Sequence, residues 1–179
     1  QNGCKAVFIY EGDKEEYWSF LTPEASNSLE RYFDERVRDG ERLEPKSPVF
    51  RTLYSPKKVH LVKPIAIMSA RSVIYRCVKT AKIHREKQGF AYDIQMDHGF
   101  RKRFNTILKL ESDLNSNIAE KLMGHKRGLD AVYFQPTREQ CFEEFKKAIP
   151  ELTVDESLKL KVELEKYRTK ENEVGYFID

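Results

Sequence analysis

The sequence lacks several features that define large protein classes. No stretch approaches the roughly eighteen consecutive apolar residues of a membrane-spanning helix, and the first residues contain no apolar secretory signal. The three cysteines are widely spaced and include no CxxC pair, which argues against a disulfide framework and against a cysteine-based zinc site. These absences predict a protein of a reducing, cytoplasmic compartment without a membrane partner.

Common catalytic motifs are also missing. The chain contains no glycine-rich phosphate loop, no GxSxG and no HExxH. Its four histidines, His60, His84, His98 and His125, are not spaced as a metal cluster. The sequence therefore predicts neither a metal nor a nucleotide cofactor.

The 179 residues suffice for a domain with its own core, and we expect the range 1–179 to form one domain. The net charge is only +3, but residues 57–127, the basic block, contain 16 Lys and Arg against 6 Asp and Glu, whereas the remainder contains 16 and 23. Such a block favours a polyanionic partner, because each cation placed on a phosphate releases condensed counterions. It fits equally well a solvated face whose acidic partners lie elsewhere in the fold.

The hydrophobic pattern predicts an α+β fold, with a small N-terminal antiparallel hairpin and a mostly helical remainder. Residues 6–10 and 17–21 are rich in β-branched and aromatic side chains and flank a polar turn, which is typical of a hairpin. Thr22 and Pro23 form a helix start, and Gly40 ends that helix.

Further helices are predicted from caps and apolar spacing. After a proline-containing connector, we expect a basic helix from Lys63 to about Lys87 and a loop from Gly89 to Gln95. The remaining predicted helices run from an Asp97 cap to Leu110, from Asn115 or Ser116 to Gly124, from a Thr137 cap onward, and from the capping box at 153–156. A turn or short helix is expected at 128–134. The alternating pattern after residue 157 also fits a strand, but the cap favours a helix.

One predicted helix brings an imidazole and a guanidinium to the same face. His98 and Arg101 are three residues apart and therefore share that face. The apolar residues of the opposite side, which should anchor the helix, are Phe100, Phe104 and Ile107. Arginine offers a planar fork that matches a phosphate, and histidine can donate a hydrogen bond or move a proton near neutral pH. Taken alone, this HxxR pattern also fits two surface residues beside a core stripe.

A second histidine, His125, stands at a glycine-marked helix end, and Tyr133 follows eight residues later. A tyrosine hydroxyl, with a pKa of about 10, is a poor nucleophile unless cations stabilise its anion. Arg101, His98 and His125 would supply that stabilisation in one site. Taken alone, Tyr133 is more typical of a core aromatic residue.

In this order the two segments resemble the motif of the tyrosine recombinase, or phage-integrase-like, family. Its members read HxxR, then LxGH about two dozen residues later, then a tyrosine about nine residues on. Here Arg101 and His125 are 24 positions apart, and His125 and Tyr133 are eight apart, one fewer than usual. The segments that look most like archaeal integrase-type members are residues 20–24, 97–106 and 122–126. The resemblance covers nearly the whole chain and implies a catalytic domain encoded by a mobile genetic element, in the cytoplasm of a prokaryotic or viral host cell.

The resemblance implies a role for each matching residue. Tyr133 matches the nucleophile that attacks the scissile phosphodiester, forming a 3′-phosphotyrosyl link and freeing a 5′-hydroxyl. Arg101 matches the second of two arginines that hold the non-bridging oxygens in the transition state. His98 matches an acid/base or phosphate-contacting histidine, and His125 matches a residue that hydrogen-bonds the phosphate.

The family's catalytic lysine lies in a β-hairpin and protonates the leaving 5′-oxygen. Lys14, in the turn of the predicted hairpin, is the match, and Lys5 is a weaker candidate. Without the resemblance, Lys14 would be interpreted as a solvated turn lysine among acidic neighbours. Because the covalent link stores the energy of the phosphodiester, the resemblance implies no cofactor.

One departure concerns the family's first catalytic arginine, which lies in a helix about two dozen residues before the hairpin lysine. No arginine precedes Arg31, which follows the hairpin. We expect the chain to be the C-terminal catalytic part of a longer protein, with the first-arginine region and an N-terminal DNA-clamping domain upstream. The alternative is that this arginine is lost. In both cases the chain alone is expected to be weakly active or inactive in strand exchange.

The implied function is site-specific recombination or integration of double-stranded DNA. Members of the family act as tetramers on DNA, and residues 153–179 would dock on a neighbouring copy. Three alternatives stay open: a type IB topoisomerase-like enzyme, a catalytically dead integrase-derived DNA-binding module, and a basic helical domain that binds nucleic acid without chemistry. The absent first arginine would favour the dead module.

Overall fold

The computed structural model describes residues 3–125 and 133–175. In these ranges the chain combines seven α-helices with two short antiparallel sheets, which confirms the predicted α+β class. No helix of these ranges combines the length and the apolar character that a bilayer crossing requires. The chain divides into two compact units: the terminal unit, Gln1–Ser28 with Phe104–Asp179, and the middle unit, Leu29–Arg103.

The regular elements follow one another along the chain, and residues 39–66 form a long connector between the first two helices. In order they are β1 (Lys5–Ile9), β2 (Tyr17–Leu21), α1 (Pro23–Arg38), α2 (Ile67–Thr80), β3 (Lys87–Gln88), β4 (Ala91–Tyr92), α3 (Asp97–Thr106), α4 (Ser116–Leu122), α5 (Arg138–Lys146), α6 (Ile149–Leu152) and α7 (Glu156–Gly175). A 3₁₀ turn (Pro56–Lys58) precedes α2, and a π-helical turn (Ile107–Glu111) follows α3.

The predicted N-terminal hairpin and the helix after it are confirmed. Strands β1 and β2 pair antiparallel in a continuous five-residue register. The hydroxyl of Thr22 accepts a hydrogen bond from the backbone N–H of Ala25 at 3.2 Å and so caps α1. At the other end Gly40 adopts a φ of +100°, which closes the helix as expected.

The apolar core lies in the terminal unit. One face of the hairpin, the π-helical turn, α4, α5 and the start of α6 all contribute side chains to it. Burial of each large apolar side chain contributes roughly 1.5–3 kcal/mol. The core residues are Phe20, Ile107, Leu108, Leu114, Ile118, Ala119, Leu122, Met123, Cys141, Phe145, Ala148 and Ile149. The segment predicted as a helix after Thr137 supplies four of them, namely Cys141, Phe145, Ala148 and Ile149, and a break between α5 and α6 interrupts that helix.

Two of the predicted helix caps in this unit are confirmed. The Asn115 side chain accepts a hydrogen bond from the backbone N–H of Asn117 at 2.9 Å and starts α4. Thr137 and Gln140 form a reciprocal capping box at α5: each side chain accepts the other residue's backbone N–H, at 3.2 and 2.8 Å.

The last helix, α7, is confirmed as a helix rather than a strand, but its cap differs from the prediction. The carboxylate of Asp155 accepts the backbone N–H groups of Ser157 and Leu158 at 2.9 and 3.0 Å. The hydroxyl of Thr153, the expected cap, instead donates to the carbonyl of Ile149 at 2.7 Å, at the end of α6. Asp155 therefore starts α7, because the preceding helix already engages the threonine.

The basic helix predicted from Lys63 to Lys87 is shorter at both ends. Pro64 has no backbone N–H and pairs with Arg51 in an isolated β-bridge, so α2 begins only after it. At the other end, Lys82 adopts a φ of +53° and closes the helix without a glycine. None of the residues of α2 is buried.

Two further expectations for the middle unit are corrected. The loop predicted from Gly89 onward contains β4, which pairs antiparallel with β3. Asp97, expected as a cap, is the first residue of α3, and its carboxylate accepts a hydrogen bond from Nε of Arg71 at 3.1 Å. That ion pair, and then local backbone hydrogen bonds, hold the pKa of Asp97 below its usual range.

A buried ion triad organises the middle unit. The side chains of Arg36, Glu41 and Arg51 are each 1% exposed. Arg36 donates to the Glu41 carboxylate from Nη2 at 2.5 Å and from Nε at 3.1 Å, and Arg51 donates from Nη1 to the same carboxylate. Further hydrogen bonds from the two guanidinium groups reach the backbone carbonyls of Pro48, Val49, Val59 and Leu61. The two guanidinium ions thus hold the connector after α1 in place, and the Arg36 hydrogen bond lowers the pKa of Glu41.

We expect Glu41→Gln to destabilise the protein by about 3 kcal/mol, because two buried guanidinium ions lose their shared counter-charge. Urea unfolding at pH 7 measures this loss. The difference from wild type should shrink as the pH falls through the lowered pKa of Glu41, where the wild-type carboxylate itself becomes protonated.

The matched control for this variant is Glu44→Gln, at an exposed glutamate that lies 3.9 Å from the exposed Arg42. It should change the unfolding free energy by less than about 0.5 kcal/mol. Equal losses in the two variants would contradict the role of the triad.

Candidate functional site

The end of α4 is built as a Schellman motif. Gly124 has a φ of +70°, its N–H donates to the carbonyl of Lys121 at 3.0 Å, and the N–H of His125 donates to the carbonyl of Glu120 at 2.9 Å. This hydrogen-bond pattern folds the chain back so that residue 125 lies over residue 120. The LxGH spacing therefore positions the histidine by local backbone geometry.

Glu120 orients the imidazole of His125. The Lys109 ammonium group donates a hydrogen bond to Oε1 of the Glu120 carboxylate. The other oxygen, Oε2, lies 2.6 Å from Nδ1 of His125. The Lys109 hydrogen bond, and then that of His125, hold the pKa of Glu120 below its usual range. Because the carboxylate is ionised, Nδ1 is the ring nitrogen that donates to it. Sequence reasoning missed Glu120, although its five-residue offset from a histidine after a helix-ending glycine was a usable signal.

The ring of Tyr17 lies directly on Gly124. A Cβ at position 124 would lie 2.5 Å from Cδ1 and 2.8 Å from Cζ of this ring, closer than side-chain atoms approach. Gly124 is thus required twice, for its left-handed backbone and for the contact with β2. The contact brings the end of the hairpin beside His125.

The hairpin turn that carries Lys14 is held by its own acidic residues. The Glu16 carboxylate accepts the backbone N–H of Gly12 at 3.0 Å, and the Asp13 carboxylate accepts that of Glu15 at 2.9 Å. Gly12 has a φ of +81°, which glycine adopts without strain. The carboxylates beside Lys14 therefore build the turn.

The hairpin turn, the end of α4 and the start of α5 enclose an open cleft of about 570 Å³ within the terminal unit. It brings together two of the predicted site residues, Lys14 and His125, and adds two cations that sequence reasoning missed, Lys121 and Arg138. The other lining residues are Asp13, Glu16, Tyr17, Trp18, Gly124, Gln135, Pro136 and Cys141. Three cations from three separate elements, together with an oriented imidazole, suit this cleft to an anionic group such as a phosphate.

The remaining predicted site residues are not among the described residues that line this cleft. Tyr133 belongs to the terminal unit, is 79% exposed and is not among the described lining residues, although Gln135 two positions later is. The predicted turn at 128–134 falls mostly outside the described residues. Lys5, the weaker lysine candidate, lies in β1 at the far end of the hairpin from the turn.

His98 and Arg101 lie on α3 in the middle unit, and both are exposed. Phe100 was expected to anchor this helix, but it is 67% exposed, so the anchoring prediction is wrong at that residue. Phe104 is half-buried and Ile107 is buried, as predicted, and both pack in the core. Among the three residues expected to anchor the helix, only those at the end of α3 and in the π-helical turn after it pack in the core.

No group of three or more histidine, cysteine, aspartate or glutamate side chains in the described ranges is placed to hold a metal ion. Comparison of the chain with protein-family models, with curated proteins and with solved structures finds no match. The interpretation of the cleft therefore depends on its own geometry and chemistry.

We expect Gly124→Ala to destabilise the protein more than Gly89→Ala does. Both glycines have a left-handed φ, +70° and +63°, so each variant carries roughly 1–2 kcal/mol of backbone strain. Only residue 124 faces the Tyr17 ring, whereas a Cβ at position 89 meets nothing within 4 Å. The contact should add about 1–3 kcal/mol to the Gly124→Ala loss in urea unfolding. Equal losses would mean that the ring moves aside freely and that the hairpin does not depend on this contact.

Proposed function

We propose that the chain is the catalytic domain of a DNA strand-breaking and rejoining enzyme of the tyrosine recombinase kind. The observation that carries the proposal is the cleft, in which Lys14 of the hairpin turn meets His125 of the α4 end although the two are far apart in sequence. The recombinase motif implies this pair for the phosphate and the leaving group. A chance match to the motif would give no reason for the hairpin turn to lie beside that helix end.

The cleft's chemistry supports a phosphodiester as its ligand. The Lys14, Lys121 and Arg138 side chains supply positive charge, and His125 supplies a hydrogen-bonding group whose direction Glu120 fixes. In a partly enclosed site such groups stabilise charge that develops on the non-bridging oxygens of the transition state. The proposal keeps for Arg101 and His98 the phosphate-contacting roles that the recombinase motif implies.

The proposed reaction conserves the phosphodiester energy. The Tyr133 hydroxyl attacks the phosphorus, a 3′-phosphotyrosyl bond forms, and the bond from phosphorus to the 5′-oxygen breaks. Lys14 gives its proton to the departing 5′-oxygen, and the tyrosine proton passes to a base such as His98. A 5′-hydroxyl from the same or another strand then reverses the steps and rejoins the DNA.

Double-stranded DNA is the proposed partner, and self-association on it is part of the proposal. The excess of positive charge in the basic block supports contacts with the sugar–phosphate backbone. Helix α7, which lies within residues 153–179, exposes Leu160, Leu164 and Tyr167. An exposed apolar surface of this kind supports docking on a neighbouring copy in a tetramer.

A second candidate function is a DNA-binding module without chemistry. The placement of Tyr133 favours it, because this side chain is exposed and is not among the described residues that line the cleft. The two candidates differ in whether a covalent protein–DNA link ever forms, and that difference can be measured directly.

We expect the protein to form a denaturation-resistant adduct with a suicide duplex built on the recombination site that flanks its own gene. Tyr133→Phe should abolish the adduct, because the nucleophilic oxygen is gone. The matched control is Tyr75→Phe, at another exposed tyrosine, which should leave the adduct yield unchanged. Denaturing gel electrophoresis of labelled DNA measures the yield.

An adduct that persists in Tyr133→Phe would overturn the assignment of the nucleophile. No adduct with the wild-type chain, or with a longer form that contains it, would favour the non-catalytic module. Relaxation of supercoiled plasmid without strand exchange would point to a topoisomerase instead.

We expect Lys14→Ala to reduce adduct formation by about 10²-fold or more, because the leaving 5′-oxygen loses its proton donor. A duplex with sulfur in place of the bridging 5′-oxygen should restore the rate, since a thiolate leaves without protonation. Lys5→Ala, the control at the competing lysine, should behave as wild type on both duplexes. A Lys14→Ala defect that sulfur does not rescue would contradict the role of Lys14 as the acid.

A further inference from the structure

The start of α5 presents an arginine on an aromatic surface at the edge of the cleft. Arg138 is the first residue of this helix, and its guanidinium carbon lies 5.4 Å from the centroid of the Trp18 ring. The same indole stacks on Phe8, with ring centroids 4.5 Å apart and planes inclined by 23°. A cation–π contact with a stacked, anchored indole restricts where the guanidinium can lie.

Glu139 restricts one edge of the same guanidinium. Nε and Nη2 of Arg138 donate to Oε1 of Glu139 at 3.3 and 3.1 Å, and in the described part of the chain Nη1 has no hydrogen-bond partner. Hydrogen bonding by its own backbone N–H, and then by Arg138, holds the pKa of Glu139 below its usual range, so the carboxylate stays ionised. The Arg138 side chain is still 53% exposed, which leaves its outer edge open to a ligand from solution.

We propose that Arg138 is a phosphate-binding residue of the cleft and that its ligand is a backbone phosphodiester of DNA. The proposal rests on the proposed function for the choice of DNA, and it adds a guanidinium that the HxxR and LxGH patterns do not include. A planar fork can hold two oxygens of one phosphate, whereas a lysine acts as a point charge. Because Trp18 and Glu139 already restrict the fork, less side-chain entropy is lost when it binds.

The surroundings of Arg138 favour a phosphodiester over a free inorganic ion. The cleft is open, and its volume of about 570 Å³ has room for a phosphate together with its sugar. Trp18 is partly exposed beside Arg138 and offers an apolar surface for that sugar or the adjoining base. Lys14 and Lys121 line the same cleft and provide charge for the flanking phosphates.

Trp18 also makes the proposal measurable, because it is the only tryptophan in the chain. Its fluorescence reports on the cleft without any covalent chemistry. The experiment titrates the full chain, in a Tyr133→Phe background, with a short DNA duplex at several salt concentrations, and it follows Trp18 emission. Fluorescence anisotropy of a labelled duplex gives an independent Kd.

We expect Arg138→Ala to weaken binding about tenfold near 0.1 M salt and to reduce the salt slope by about one, as the loss of one phosphate contact should. Arg138→Lys should keep the salt slope but recover only part of the affinity, because it keeps the charge and loses the fork. The matched control is Arg42→Ala, at an exposed arginine near a glutamate, which should change the Kd by less than about twofold. Urea unfolding of each variant verifies that the fold is retained.

The outcomes separate this proposal from the enzymatic one. If Arg138→Ala weakens binding but neither the wild-type chain nor a longer form that contains it forms a covalent adduct, the phosphate-binding role stands and the recombinase function fails. If the adduct forms with wild type while Arg138→Ala binds DNA with unchanged Kd and salt slope, the role of Arg138 is overturned and the enzymatic function stands. An unchanged Trp18 emission on saturation with the duplex would likewise overturn it, because DNA would then bind away from the cleft.

Discussion

The contact between Tyr17 and Gly124 is the constraint on which the candidate site depends. The phenol ring occupies the space where any other residue would carry its Cβ, so β2 can lie against the end of α4. The strand direction then carries the hairpin turn, with Lys14, to the cleft that His125 also lines. Lys14 and His125, from distant parts of the chain, thus line one cleft because residue 124 has no Cβ. The position of the cleft's lining residues therefore depends on how closely the backbone at Gly124 approaches the Tyr17 ring.

The same helix-ending device closes α1, α2 and α4, and at two of these three ends it brings two polar side chains together. In a Schellman motif the sixth residue folds back over the first, usually with an apolar contact between them. At the end of α1, across Gly40, that pair is Arg36 and Glu41, and at the end of α4 it is Glu120 and His125. The first pair is buried and holds the connector of the middle unit. The second is partly buried and lies at the edge of the cleft that His125 lines.

Sequence reasoning succeeds where structure is decided within a few residues. The cap at Thr137 and the glycine-ended helix before His125 depend on N–H groups within one turn, so the local sequence contains both partners. It fails where a distant partner decides the outcome. The bridge between Arg51 and Pro64 shortens α2, and no periodicity reveals it. Arg138 is missed for the same reason, because the indole that holds it belongs to the hairpin.

Net charge is a poor guide to the local charge of the cleft. The turn around Lys14 carries several acids, and by count they would oppose a phosphate. Two of their carboxylates instead accept backbone N–H groups of Gly12 and Glu15, and a carboxylate engaged in this way stabilises the turn that presents the lysine. The hairpin, α4 and α5 each then contribute one cation to a common, partly enclosed space. Fields from separate elements add there and are screened less than on an open surface, so the arrangement of a few charges matters more than the total of +3.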